Sequence, residues 1–375
     1  MKNLLDRILS KEEVNTGRQY EFDYVKALCI LIMVVMHTYD YLCADAAVEQ
    51  GTFSYFVNMI LCTIFGASTF MICMGIGFCY TRNKDNPDFF INRGIKVFIL
   101  AYVLNFLRSI IKIFFVTPIV DGSLFSAEFF VDLLNVDIMQ FAGIAMIFFG
   151  LLLKLKLKPL YICLTGVGLS IISSFFPYFS TNNGVIDLLL GVLIPNKYLN
   201  GNEIYSCFPL ISYFIYPAFG YLYGLFDKKI KDKKLYYSIV TPICGVISIG
   251  YAVIATNNNF YCLSDIGYYH PRTYDCFLNI IATIFLCGAF YFISKYVPKV
   301  IEKFVVFTSS HINTVYCIHW VILHNLYSIT VIMNNYRSRE YEELFVTIIG
   351  LSIYCISVII TKHSSDYKKK NGVVA

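Results

Sequence analysis

The stretch FDYVKALCILIMVVMHTYDY, residues 22–41, decides the fold. Between Lys26 and His37 it carries no charged side chain, while acids and aromatics gather at its two ends. About 20 mostly apolar residues cross a bilayer as one helix, and this stretch has that length. Eleven residues at 100° each return to within about 20° of the starting direction, so Lys26 and His37 share a helix face, about 16 Å apart along the axis. Asp23 and Asp40 extend the same stripe. Ionisable groups cost about 2.5–3.5 kcal/mol each at the centre of a membrane, so a stripe of them turns toward protein and not toward lipid. The helix therefore belongs to a bundle.

Outward from this stretch, apolar segments recur near 53–80, 94–117, 136–153, 159–176, 207–226, 235–255, 275–296, 312–333 and 341–361. Hydrophobic residues make up 57% of the 375 and charged ones only 15%, too few to cover the surface of a water-soluble domain of this size. The lysines and arginines alternate between connecting segments. Those before 22, around 82–96, at 154–158, at 228–234, at 295–303 and after 361 hold 23 of them, against 4 in the others and 3 within spans. By the positive-inside rule this alternation predicts an all-α, multi-pass bundle of about ten transmembrane helices in the cell membrane, with N-terminus and C-terminus inside. The expected organisation is a cytoplasmic tail 1–21, a transmembrane domain 22–361 and a basic cytoplasmic tail 362–375. A cleaved signal peptide ending near Ala44-Asp45-Ala46 is the weaker reading, because the lead contains Asp6, Glu12, Glu13, Glu21 and Asp23. Val185 to Ile194 is too short to span and reads as a re-entrant or interfacial piece.

The net charge of +5 is dispersed over many loops instead of forming one patch for nucleic acid or acidic lipid, so it reports topology; membrane lipid is the expected surrounding and nucleic acid is not an expected partner. Most of the thirteen cysteines lie inside apolar runs and act there as small hydrophobes. Cys43, Cys207, Cys262 and Cys276 fall near outer ends, which leaves one bridge open, Cys262 with Cys276 among the choices. No cluster has metal-ligand spacing, and no metal is expected. Nothing in the sequence encodes an oligomeric state.

Three places carry ionisable groups inside spans. On the first helix, His37 has the near-neutral basicity that a general base for a hydroxyl needs, and Lys26 reads either as a functional cation or as a snorkelling lysine. The third helix places Asn105, Arg108 and Lys112 at i, i+3 and i+7, one face turned from lipid. The guanidinium there suits a phosphate or a carboxylate, or a structural partner such as Asp137. The ninth helix opens with Ser309, Ser310, His311, Asn313 and Thr314 and carries His319 at mid-depth; small polar residues of this kind also bind helices to one another.

These residues coincide with a known pattern. FDYVKALCILIMVVMHTYDY resembles the opening of the membrane-bound acyltransferase family 3 and of the related heparan-alpha-glucosaminide N-acetyltransferase-like proteins. That family places an aspartate, an arginine three residues on and a histidine eleven further, matched here by Asp23, Lys26 and His37. The lysine keeps the charge but loses the bidentate fork. FGASTFMICMGIGFCYTR (65–82) with INRGIKVFILAY (91–102) is similar to the family's second helix and basic loop, and FTSSHINTVYCIHWVIL (307–323) to its late helix, with His319 at the histidine. DIMQFAGIAMIF (137–148) and CFPLISYFIYPAFGYLYG (207–224) look like the N-acetyltransferase-like branch.

The resemblance implies acyl transfer from acyl-CoA, acetyl-CoA by default, to a carbohydrate hydroxyl or amine of a cell-surface glycan or glycolipid. On that reading the expected general base is His37, with Asp40 or Asp23 orienting the ring or balancing its charge; Lys26, Arg82, Arg93 and Lys96 are candidates for the CoA phosphates, and Arg108, Gln140 and His319 for the cavity that holds the acyl carbonyl or acceptor. Tyrosines and phenylalanines of the outer segments, among them Tyr178, Phe179, Tyr198, Tyr205, Phe260, Tyr261, Tyr268 and Tyr269, suit sugar stacking or an interfacial belt. A secondary transporter or flippase for a sugar-containing substrate is the alternative reading of the same buried charges.

Overall fold

The computed structural model describes residues 2–43, 65–175, 179–181, 183–195, 206–258, 269–338 and 340–371. Ala44 to Ala46, the first part of the second apolar segment, Cys262 and most of the aromatic outer residues (Tyr178, Tyr198, Tyr205, Phe260, Tyr261 and Tyr268) lie outside these. Among the described residues the architecture is helical, with three isolated β-bridges. Ten helices carry the fold: α1 (Tyr20–Leu42), α2 (Ala67–Tyr80), α3 (Pro87–Arg108), α4 (Ile138–Lys154), α5 (Pro159–Ser173), α6 (Ile215–Asp227), α7 (Lys233–Asn258), α8 (Thr273–Ile293), α9 (Ile312–Met333) and α10 (Glu343–Lys370).

Six of these regions are long and apolar enough to cross a membrane: Tyr20–Leu42, Pro87–Arg108, Lys233–Ile254, Thr273–Tyr296, Ile312–Met333 and Glu343–Lys370. The helices α2, α4 and α5 are apolar but shorter. Helix α6 follows a single turn, Leu210–Tyr213. Val185 to Ile194 contains a seven-residue helix, Gly184–Leu190, too short to span. Buried Asp187 ties that helix to the preceding turn, accepting from the Thr181 N–H at 2.8 Å, the Thr181 hydroxyl at 2.7 Å and the Ser180 hydroxyl at 2.8 Å. Burial pushes the Asp187 carboxyl up, but these donors outweigh it and hold it below the usual carboxylate range.

The chain divides into two compact units, and the division runs through α1 and α3. The first comprises Met1–Val25, Thr63–Tyr102 and Leu134–Val297. Its centre is the pair α2 and α6, which pack backbone against backbone: a Cβ on Gly75 would strike the Pro217 carbonyl, and one on Gly220 the Ile72 carbonyl. Small residues permit this approach, and within a membrane close packing replaces the hydrophobic drive that joins helices in water. Around the pair, Phe78, Phe90, Phe149 and Tyr221 form a ring cluster with centroids 4.8 to 5.2 Å apart.

At one end of this unit lies a buried ionic cluster. The Lys233 ammonium donates to Glu21, to Asp227 at 2.9 Å and to Gln19 at 2.7 Å, and the Tyr80 hydroxyl donates to Asp227 at 2.9 Å. Residues 8–15 of the N-terminal segment run along residues 228–231. The Val14 N–H donates to the Lys228 carbonyl at 2.7 Å, the Ser10 N–H to the Lys229 carbonyl at 2.8 Å, and Lys228 pairs with Glu13 at 3.2 Å.

The second unit comprises Lys26–Cys62, Val103–Leu133 and Pro298–Ala375. Within it α10 lies close along α1, where a Cβ on Gly350 would come to 3.1 Å from the Val35 Cα. The Tyr39 hydroxyl meets that of Thr347, and the Tyr341 N–H donates to the Leu42 carbonyl at 2.9 Å, closing the same contact at its end.

Candidate functional site

The polar side chains of the second unit converge on Trp320, the one tryptophan of the chain. Helix α9 presents His319, Trp320 and His324, and α1 presents His37 and, one turn later, Tyr41. The His37 ring lies 4.3 Å from the Trp320 ring, tilted by 33°, and 5.8 Å from the His319 ring, nearly parallel to it at 8°. Tyr41 packs edge-on to Trp320 at 6.1 Å, and its hydroxyl lies 3.0 Å from the His324 Nε2. The final turn of α3 contributes Arg108, whose guanidinium carbon sits 4.8 Å from the Trp320 ring. Arg108 is only 5% exposed, and a desolvated cation over an indole is worth about 2 kcal/mol.

Two properties separate this cluster from ordinary helix packing. His37 keeps 21% of its side chain exposed, so something can reach it, and its Nδ1 lies 3.5 Å from an Asp40 carboxylate oxygen one turn on. A carboxylate at Nδ1 favours the tautomer with the proton there and leaves Nε2 as the basic nitrogen. His319 behind it is fully buried, with the backbone of Val315 and Tyr316 on its own helix as its hydrogen-bonding surroundings. The Trp320 indole N–H and the His324 Nδ1 have no hydrogen-bond partner among the described residues. Buried polar groups left in this state cost about 1–3 kcal/mol each, a cost that a polar ligand bound there would offset; Thr241 and one Asp227 oxygen share that state elsewhere among the described residues.

Lower on α3, Asn105 donates to the Leu133 carbonyl at 3.0 Å, and past its end Lys112 pairs with Asp132 at 2.9 Å. The three residues that the sequence places on one face thus divide their work. Asn105 and Lys112 hold the 103–133 segment together, and Arg108 goes to Trp320.

The remaining expected site residues separate by unit. His37, Asp40, Arg108 and His319 come together in the second, with half-buried Lys26 on the same helix as His37. Asp23 lies in the first, where Arg18 grips its carboxylate at 2.6 Å. It is fourteen residues from His37 on α1, about 21 Å along the axis. Of the two carboxylates named for the ring, only Asp40 reaches it. Arg82, Arg93 and Lys96 belong to the first unit and are exposed, Arg93 lying 5.9 Å from the Phe89 ring. Gln140 is buried in the first unit, where its Oε1 accepts from the Asp137 N–H at 3.1 Å in a capping box at the start of α4. Sequence reading missed Trp320, His324 and Tyr41. Their signals were present: a lone tryptophan beside His319, a second histidine five residues on, and a tyrosine one turn past His37.

The profile of acyltransferase family 3, described as an acyltransferase domain, matches residues 19–362. The chain belongs to that family. The match takes in α1 through most of α10, and so the whole Trp320 cluster of this family 3 member. No curated protein and no solved structure matches.

Proposed function

We propose that this family 3 protein moves an acyl group, acetyl by preference, from acyl-CoA supplied on the cytoplasmic side to a hydroxyl or amine of a cell-envelope carbohydrate, with His37 as general base. The observation that carries the reading is the His37 ring itself: accessible, set against Trp320, with Asp40 on its Nδ1 side. In the transfer, Nε2 of His37 takes the proton of the acceptor hydroxyl while its oxygen attacks the thioester carbonyl carbon. The carbonyl π pair moves onto oxygen, where the Arg108 guanidinium balances the developing charge. The tetrahedral species collapses by breaking its carbon–sulfur bond. The departing CoA thiolate then takes the proton back from the His37 imidazolium, leaving a free thiol and an acyl ester.

The alternation of basic residues supports ten spans with both termini in the cytoplasm, which puts Arg82, Arg93 and Lys96 on the side that holds CoA, as candidates for its phosphates with Lys26. The resemblance of 137–148 and 207–224 to the N-acetyltransferase-like branch supports acetyl as the group and keeps amine as well as hydroxyl acceptors in view. His319 and Gln140 are assigned to acceptor binding.

The test is acetyl-CoA consumption by detergent-solubilised protein with and without envelope glycan extract. Release of CoA that needs the glycan and vanishes in His37→Ala is the expected result. No release, together with no acetyl-CoA binding, overturns the reading in favour of a transporter.

A further inference from the structure

Helix α3 ends at Arg108 and the chain continues into a π-helical turn, Lys112–Val116. At this break the carboxamide of Asn325, from α9, is inserted into the backbone ladder. Its Oδ1 accepts from the Ile111 N–H at 3.2 Å, and its Nδ2 donates to the Leu107 carbonyl at 3.1 Å. Residues 107 and 111 are the two groups that an uninterrupted α-helix would join to each other by its i→i−4 bond. The second Nδ2 proton goes to the Val321 carbonyl of α9 itself at 2.8 Å, so every donor and acceptor of the amide is used and its orientation is fixed. In hydrocarbon an opened ladder has no water to satisfy it, and a side chain from a neighbouring helix must do so. Arg108 follows Leu107 directly, and Asn325 stands five residues after Trp320 on the same helix.

We infer that Asn325 is a positioning residue for acyl transfer: by replacing the Leu107–Ile111 backbone bond it holds α3 open at Arg108 and fixes the guanidinium over Trp320. The inference rests on the role given above to Arg108 in the transition state. Without the wedge, the ladder closes between 107 and 111 and the direction in which Arg108 leaves the helix turns. The bilayer anchors both helices, so the displacement is local, about an ångström, which at a reacting centre costs on the order of 10²-fold.

The test uses four full-length proteins: wild type, Asn325→Leu, Asn325→Gln and Arg108→Met. Because Trp320 is the sole tryptophan, intrinsic emission reports on the guanidinium beside it, independently of turnover. Asn325→Leu is expected to reproduce the emission change of Arg108→Met, with Asn325→Leu/Arg108→Met no different from Arg108→Met alone. It is also expected to lower kcat by about 10²-fold with KM nearly unchanged, the signature of an interaction made in the transition state. Asn325→Gln, which keeps the carboxamide, retains more of both. An Asn325→Leu protein with wild-type emission and wild-type kcat overturns the inference, as does a loss of kcat with emission unchanged. If the wild type transfers nothing, the proposed function falls, and the emission comparison alone still decides whether Asn325 sets Arg108.

Discussion

Two buried polar clusters in this protein invite comparison. In the first unit, around Lys233, each charge faces an opposite one: Lys233 has Glu21 and Asp227, Lys228 has Glu13, and Arg18 has Asp23. In the second unit, around Trp320, fully buried His319 meets only the backbone of its own helix at Val315 and Tyr316, and the Trp320 N–H and His324 Nδ1 lack a hydrogen-bond partner among the described residues. The first is a paired ionic network that stiffens the fold, although one Asp227 carboxylate oxygen lacks a hydrogen-bond partner among the described residues, whereas the second gathers aromatic and imidazole rings around a single guanidinium. The proposed function puts chemistry on the second cluster and leaves the first to structure.

The largest effect that could break this contrast is on transfer. His37→Ala is expected to lower the rate by 10²- to 10⁴-fold, the usual reach of a general base, while the unfolding midpoint in detergent stays at the wild-type value. The opposite pattern is expected at Lys233. Replacing it with methionine leaves Glu21 and Asp227 buried without their cation, which destabilises by about 3–5 kcal/mol and shows as a lower midpoint, while the rate per folded molecule is retained. A smaller effect sharpens the second cluster. Asp40→Asn removes a carboxylate that is itself solvent-exposed, so the expected loss is about tenfold in kcat, with KM unchanged.

The smallest effect concerns the short helix at 184–190. Because donors hold the Asp187 carboxyl below its ordinary range, its contribution is fully present above the unfolded-state value and is lost as pH falls through the folded-state one. Unfolding midpoints measured downward from pH 7 should show this acid loss in wild type, and Asp187→Asn should lack that part of it.

Much of the fold was legible because a membrane imposes a simple rule on sequence. Ile312–Met333 has the bounds that hydropathy alone suggests, whereas α3 begins seven residues before its apolar run, at Pro87, and ends before that run continues into the π turn. Helix α7 likewise overruns its apolar segment at both ends, since polar residues such as Lys233 extend a helix where the bilayer no longer selects. The site was legible in part. His37, Arg108 and His319 could be picked out as polar residues where lipid should forbid them, and their convergence is a tertiary fact that periodicity within one helix cannot contain. Tyr41 escaped notice because tyrosines are ordinary at the ends of spans, and Trp320 and His324 because a polar ring on a single helix does not show which neighbour it meets. Asn325 escaped because its role is to complete another helix's backbone. Asp23 shares the His37 stripe by angle, with about 21 Å of rise between them, and its carboxylate pairs with Arg18.

The central claim is most directly tested by measuring, in the same preparations, the acetyl transfer rate per folded molecule and the unfolding midpoint of His37→Ala and Lys233→Met. The account predicts that His37→Ala loses transfer and keeps its midpoint, and that Lys233→Met loses midpoint and keeps transfer. Retained transfer in His37→Ala at a wild-type midpoint would contradict it.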